Sequence, residues 1–213
     1  MKGFAFIFCF IAAVSLADFS AAEPFPPVKN MGIGNETTIP VGHFDYCDRN
    51  PADCGIIPYP RGPESMSPDR WRAIREMNKA VNALYVSKTD NEIYGLTEYW
   101  TFPSLFADCE DFAIAKRRIL IEEFGFSPSN ALLTVVRRNG GIGEGHAILT
   151  IRTSEGDYLL DNLDDEVRLW SETVEPYLFL KRQSSFDASK WVAIEPEIDR
   201  TKTASASADR TSK

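Results

Sequence analysis

The chain has 213 residues, of which 44% are hydrophobic and 12% aromatic, and its formal net charge at pH 7 is -8. That length and composition suit one packed domain with tails and exclude a fibrous or intrinsically disordered protein. The acidic balance argues against nucleic-acid binding, which presents a basic face, and disfavours docking on anionic lipid.

Residues 1–22 read as a secretory signal peptide. Lys2 supplies the positive start, Phe4 to Leu16 is an apolar run, and Ser20-Ala21-Ala22 is a small-residue cleavage site. The run is too short to span a bilayer comfortably. The mature protein is therefore expected to be exported and soluble. Residues 23–40, rich in Pro, Gly and polar groups, read as an extended N-terminal segment, followed by a folded domain over 41–198. Residues 199–213 are Thr, Ala, Ser and charge without apolar periodicity, and read as a disordered tail.

Export sets the reading of the four cysteines. Cys9 lies in the signal. Cys47 and Cys54 flank a short polar loop, Asp48 to Asp53, and in an oxidising compartment such a pair forms a disulfide. The alternative is a metal site, for which only His43 is close. Cys109 is left as the unpaired thiol of an exported protein.

Ser67-Pro68-Asp69 starts a helix, with Ser67 as cap, Pro68 in the first position and Asp69 at the positive end of the dipole. Trp71, Ile74, Met77, Val81 and Leu84 continue it at helical spacing to about Tyr85. Lys88-Thr89-Asp90-Asn91 breaks it. A second helix is predicted from Asp108 to about Phe124, with Gly125 as its stop. Beyond Ser127-Pro128-Ser129 the texture is that of strands: Ala131–Arg137, His146–Thr153 and Tyr158–Leu163, with more around Tyr177, Phe179 and Trp191 to Ile194. Helices followed by a meandering antiparallel sheet indicate an α+β domain.

The second helix opens on Asp108-Cys109-Glu110-Asp111, a thiol among three carboxylates. A helix N-terminus favours the thiolate, whereas the adjacent acids oppose it. The bland alternatives are a buried structural thiol and, for Asp108 and Asp111, a reciprocal capping pair. A nucleophilic thiol needs a base. With only two histidines in the chain, the candidates are His43 and His146, and His146 follows the open Gly143-Glu144-Gly145. Asp161 is the candidate to orient the imidazole. A hairpin centred on Glu155-Gly156 would pair Thr150 with Asp161; it puts His146 and Asp161 on one face but four residues apart along the strand. The Cys109 backbone N–H, helped by the Trp100 indole, is a candidate oxyanion donor.

Asp108 to Ile114, Gly145-His146-Ala147-Ile148-Leu149 and Leu160-Asp161-Asn162-Leu163 together resemble the bacterial transglutaminase-like cysteine proteinases, of the LapG-like periplasmic type. Val81-Asn82, Tyr94-Gly95, Tyr99 to Pro103 and the Cys47 to Cys54 loop carry the same likeness. The resemblance covers about residues 40–195. It implies a papain-like, transglutaminase-like core with helices packed on an antiparallel sheet, in which Cys109, His146 and Asp161 form a catalytic triad. It further implies a bacterial periplasmic or secreted thiol hydrolase, a cysteine endopeptidase whose protein substrate is a surface adhesin or other envelope protein. Calcium beside the nucleophile is implied too, with ligands among Asp108, Glu110 and Asp111, which suits the preference of Ca²⁺ for hard oxygen ligands. No organic cofactor is expected. Two other readings stay open: a transglutaminase or amidase using the same acyl-enzyme, and a non-catalytic calcium-responsive binding module.

Overall fold

A computed structural model describes residues 28–195; the expected signal peptide and the expected C-terminal tail lie outside them. In chain order the elements are β1 (Gly32–Thr37), α1 (Val41–Arg49), α2 (Pro68–Leu84), β2 (Val86–Ser87), α3 (Asp90–Tyr94), β3 (Phe106–Ala107), α4 (Cys109–Glu122), β4 (Ala131–Arg138), β5 (Gly145–Thr153), β6 (Gly156–Leu160), β7 (Arg168–Leu169), β8 (Tyr177–Gln183) and β9 (Trp191–Glu195). The main sheet has seven strands in the order β1-β9-β8-β4-β5-β6-β7, and every pairing in it is antiparallel. The architecture is α+β, as the helical and alternating patterns indicate.

α4 lies across β4 and β5. Alternation along β5 explains the two-layered interior. Ala147, Leu149 and Ile151 join Ile114 and Leu120 of α4 in one apolar cluster, whereas Ile148 joins Val136, Leu159 and Trp170 in a second cluster. Each fully buried Leu or Ile here contributes about 1.5–3 kcal/mol relative to exposure.

Both predicted helices form, with local causes visible at their starts. The Ser67 hydroxyl accepts the Arg70 N–H at 3.2 Å. Asp108 caps α4 in a reciprocal box with Asp111. The helix α1, over the 41–49 stretch, carries no side-chain cap on its Pro40 N-cap, so it lacks a local start signal. It is held instead by Gly42, where any side chain would meet the Trp100 indole, and by the Cys47–Cys54 disulfide, whose Cα atoms are 5.6 Å apart. The extended segment before it contains β1, which pairs with β9 at the sheet edge.

One register is corrected. Thr153 pairs with Gly156, so the hairpin turns on Ser154-Glu155, and Thr150 faces Leu159 rather than Asp161. The centre moves by one residue and the register by two, which preserves parity. Continued one step past Leu160, the observed ladder sets Asp161 opposite Ile148, a diagonal neighbour of His146. That halves the separation expected from the simplest hairpin.

Candidate active site

Three chain segments converge where α4 begins, β5 begins and β6 ends. His146 and Asp161 are both buried, and His146 Nε2 lies 2.8 Å from Asp161 Oδ1. Asp161 Oδ1 also accepts the Leu163 N–H at 3.0 Å, and Oδ2 accepts the Tyr177 hydroxyl. Burial pushes the Asp161 carboxyl up, but the His146 hydrogen bond and charge, with Tyr177 and Leu163, outweigh it and hold the group below the usual carboxylate range. An ionised carboxylate only accepts, so the imidazole proton sits on Nε2 and Nδ1 is left as the basic nitrogen. The Tyr177 ring also lies tilted against His146, with ring centroids 5.8 Å apart and planes at 32°.

Cys109 occupies the first position of α4 and is half-buried. Its sulfur accepts the backbone N–H of Ala147 at 3.4 Å and lies 3.3 Å from Glu110 Oε2. The thiol and the imidazole make no direct hydrogen bond: the sulfur meets the backbone N–H of the residue next to His146. Burial, then the Glu110 charge, raises the thiol well above its usual range.

The oxyanion expectation is corrected. The Trp100 N–H is engaged by Glu98 Oε2 at 2.9 Å, and the indole packs on His43 and Trp191. Trp has a single donor, so none is left for an oxyanion. The Cys109 backbone N–H is also engaged, by Asp108 Oδ1 at 2.8 Å.

The acids around the thiol form a larger group than the tetrapeptide. Asp108 Oδ2 accepts the Asp90 N–H at 3.0 Å, which brings Asp90 of α3 beside it. Asp90 Oδ1 is buried without a partner. Burial, reinforced by the Asp108 and Asp111 charges, pushes Glu110 up to about 10, and burial raises Asp111 to about 7. Carboxylates packed so closely, one with an orphaned oxygen, form a hard-oxygen donor set that suits a cation such as calcium. Ligand atoms of Asp108, Cys109 and Glu110 lie within 4.8 Å of one another. Asp111 is less available, because its two oxygens accept the Thr101 N–H at 2.8 Å and the Asp108 N–H at 3.3 Å.

Sequence reasoning did not single out Tyr177 or Asp90 for the site. Tyr177 reads as an ordinary strand aromatic, and nothing near it signals a contact with Asp161. Asp90 carries a signal: Thr89 and Glu92 form a capping box, the pattern that opens a helix rather than a break. The second histidine, His43, lies in the α1 core.

Residues 33–199 match the model of the bacterial transglutaminase-like cysteine proteinases. The chain belongs to that family. Three solved structures of LapG from Legionella pneumophila are similar to it. The calcium-bound form is 22% identical over 59% of this chain and 71% of that one, with a TM-score of 0.46. The EGTA-treated form is 23% identical over 58% and 66%, with a TM-score of 0.46. A third is 22% identical over 64% and 76%, with a TM-score of 0.45. None of the curated proteins matches the chain. As a bacterial transglutaminase-like cysteine proteinase, the protein is a thiol protease, and its substrate class is protein.

Proposed function

We propose that the protein is an endopeptidase of the bacterial periplasm or exterior, with Cys109 as nucleophile, His146 as base and Asp161 as orienter, acting on an adhesin or other envelope protein. The observation that carries the reading is the buried His146–Asp161 pair set against the residue whose amide touches the Cys109 sulfur. Asp161 fixes the imidazole through Nε2, which leaves Nδ1 to take the thiol proton. The thiolate then attacks the peptide carbonyl, and the imidazolium returns its proton to the leaving amine. Water, activated by the same Nδ1, releases the acyl group.

Calcium belongs to the same proposal. Asp108 and Glu110, with Asp90 and then Asp111, would hold it. When bound it supplies positive charge that offsets the carboxylate repulsion beside the thiol. The other residues keep their roles as derived.

The test is cleavage of envelope-protein extracts by the purified mature chain. Specific fragments should appear with the wild type and be absent with Cys109→Ala. A Cys109→Ala protein that still produced them would sink the proposal. The metal is tested separately by calorimetry on chelator-treated protein: heat of binding is expected, and its loss in Asp108→Asn. An absence of heat in the wild type would remove calcium without touching the triad.

A further inference from the structure

Far from Cys109 lies a cavity of about 430 Å³ lined by Arg61, Arg152, Arg182, Ser185, Ile33 and Phe186, among others. In an acidic protein three guanidiniums meet there, and no carboxylate lines it among the described residues. The nearby acids are already assigned. Asp157 Oδ2 pairs with Arg182 at 3.2 Å, and Glu64 pairs with Arg70 at 3.3 Å. Arg61 is left bonding the Gly125 carbonyl, and Arg152 the Ser129 carbonyl and the Asn130 amide oxygen. Two guanidiniums therefore keep uncompensated charge. Arg182 is 5% exposed, and its Nε has no hydrogen-bond partner. A buried unmade hydrogen bond on a charged group is costly, and a ligand that fills it recovers that cost.

We propose that this cavity is a binding site for a phosphate monoester dianion. The charge count selects a dianion: three arginines less Asp157 leave two positive charges. Planar guanidiniums bind phosphate oxygens in bidentate pairs. Ile33 and Phe186, which are 40% and 67% exposed, give an apolar wall for the group that carries the phosphate. The site is separate from the catalytic centre. Arg152 and His146 sit at opposite ends of β5, and at ~3.4 Å per residue they are on the order of 20 Å apart.

The test is calorimetry on the full mature chain at fixed ionic strength, with inorganic phosphate, phenyl phosphate and benzoate as probes. One site is expected for phosphate, about tenfold tighter binding for phenyl phosphate through the apolar wall, and no heat with benzoate. Arg61→Gln and Arg152→Gln should each weaken phosphate about tenfold or more and leave proteolysis unchanged. Arg61 is exposed, so its variant folds and decides the matter even if Arg152→Gln does not. Absence of heat with both phosphates, benzoate binding as well as phosphate, or undiminished affinity in Arg61→Gln would each overturn the proposal.

Discussion

The two histidines of this chain are both buried, and both sit close to the segment that carries a cysteine, yet they are built for opposite purposes. His146 is given a carboxylate at 2.8 Å, which fixes its tautomer. His43 is given donors on both sides. The Trp191 indole N–H points at Nδ1 at 3.1 Å, and the Gln183 amide nitrogen lies 3.1 Å from Nε2. The Gln183 orientation is fixed, because its oxygen accepts the Leu133 N–H at 2.9 Å and its nitrogen donates to the Ala188 carbonyl at 2.9 Å. A neutral imidazole accepts one of these donors, as Nδ1 does from Trp191, and a cationic His43 would accept neither. Burial first, then the Arg117 charge, lowers it to about 4. Burial lowers His43, and partner chemistry separates the two rings further: one faces a carboxylate, the other two donor groups.

The largest expected effect is catalytic. His146→Ala should lower kcat/KM by about 10³-fold or more, while the thermal midpoint moves little. A fully active His146→Ala protein would break the comparison. His43→Ala should do the reverse. It removes a ring packed on Tyr46, Trp100 and Trp191 and orphans the Trp191 indole N–H, which costs about 3 kcal/mol by denaturant unfolding. Activity per folded molecule should stay within about threefold.

The pH dependence follows from the same residue. The folded protein holds His43 neutral down to about 4, whereas the unfolded chain takes up the proton near 6.5. The folded pKa is the lower one, so the stabilisation is complete above the unfolded value and is lost as pH falls through the window between the two. The total is about 3 kcal/mol. Chemical unfolding of wild type against a destabilised but folded His43→Phe protein checks this: the variant should lack that slope. The smallest effect sharpens the His146 side. Tyr177→Phe removes one hydrogen bond to the ionised Asp161, worth about 1.5 kcal/mol, and should cost about tenfold in kcat/KM. A loss as large as that of His146→Ala would mean that Tyr177 does more than support the carboxylate.

Much of this was legible in the chain because its causes are local. Ser67 and Asp108 announce their helices through caps, and strand alternation puts His146 and Asp161 on one face. The exact register was not legible, since turning on Ser154-Glu155 rather than Glu155-Gly156 is a choice between neighbouring dipeptides. Nor was α1, which lacks a cap and is held by a disulfide and by Trp100. The contacts of Asp90 with Asp108, of Tyr177 with Asp161 and of Arg61 with Gly125 join segments distant in sequence, and no periodicity encodes them. The engagement of the Trp100 N–H by Glu98, two residues away, depends on side-chain direction in a loop.

The pairing of β1 with β9 carries a consequence for the order in which the molecule is made. Among the described residues β1 has no other partner in the sheet, and β9 is the last strand. Residues near position 32 must therefore wait for residues near 195 before their backbone groups are paired. Contacts of such long sequence separation form late and slowly. A chain emerging from a ribosome cannot close this sheet until residues near 195 have come through, so the β1 edge stays unpaired through nearly all of the domain's synthesis.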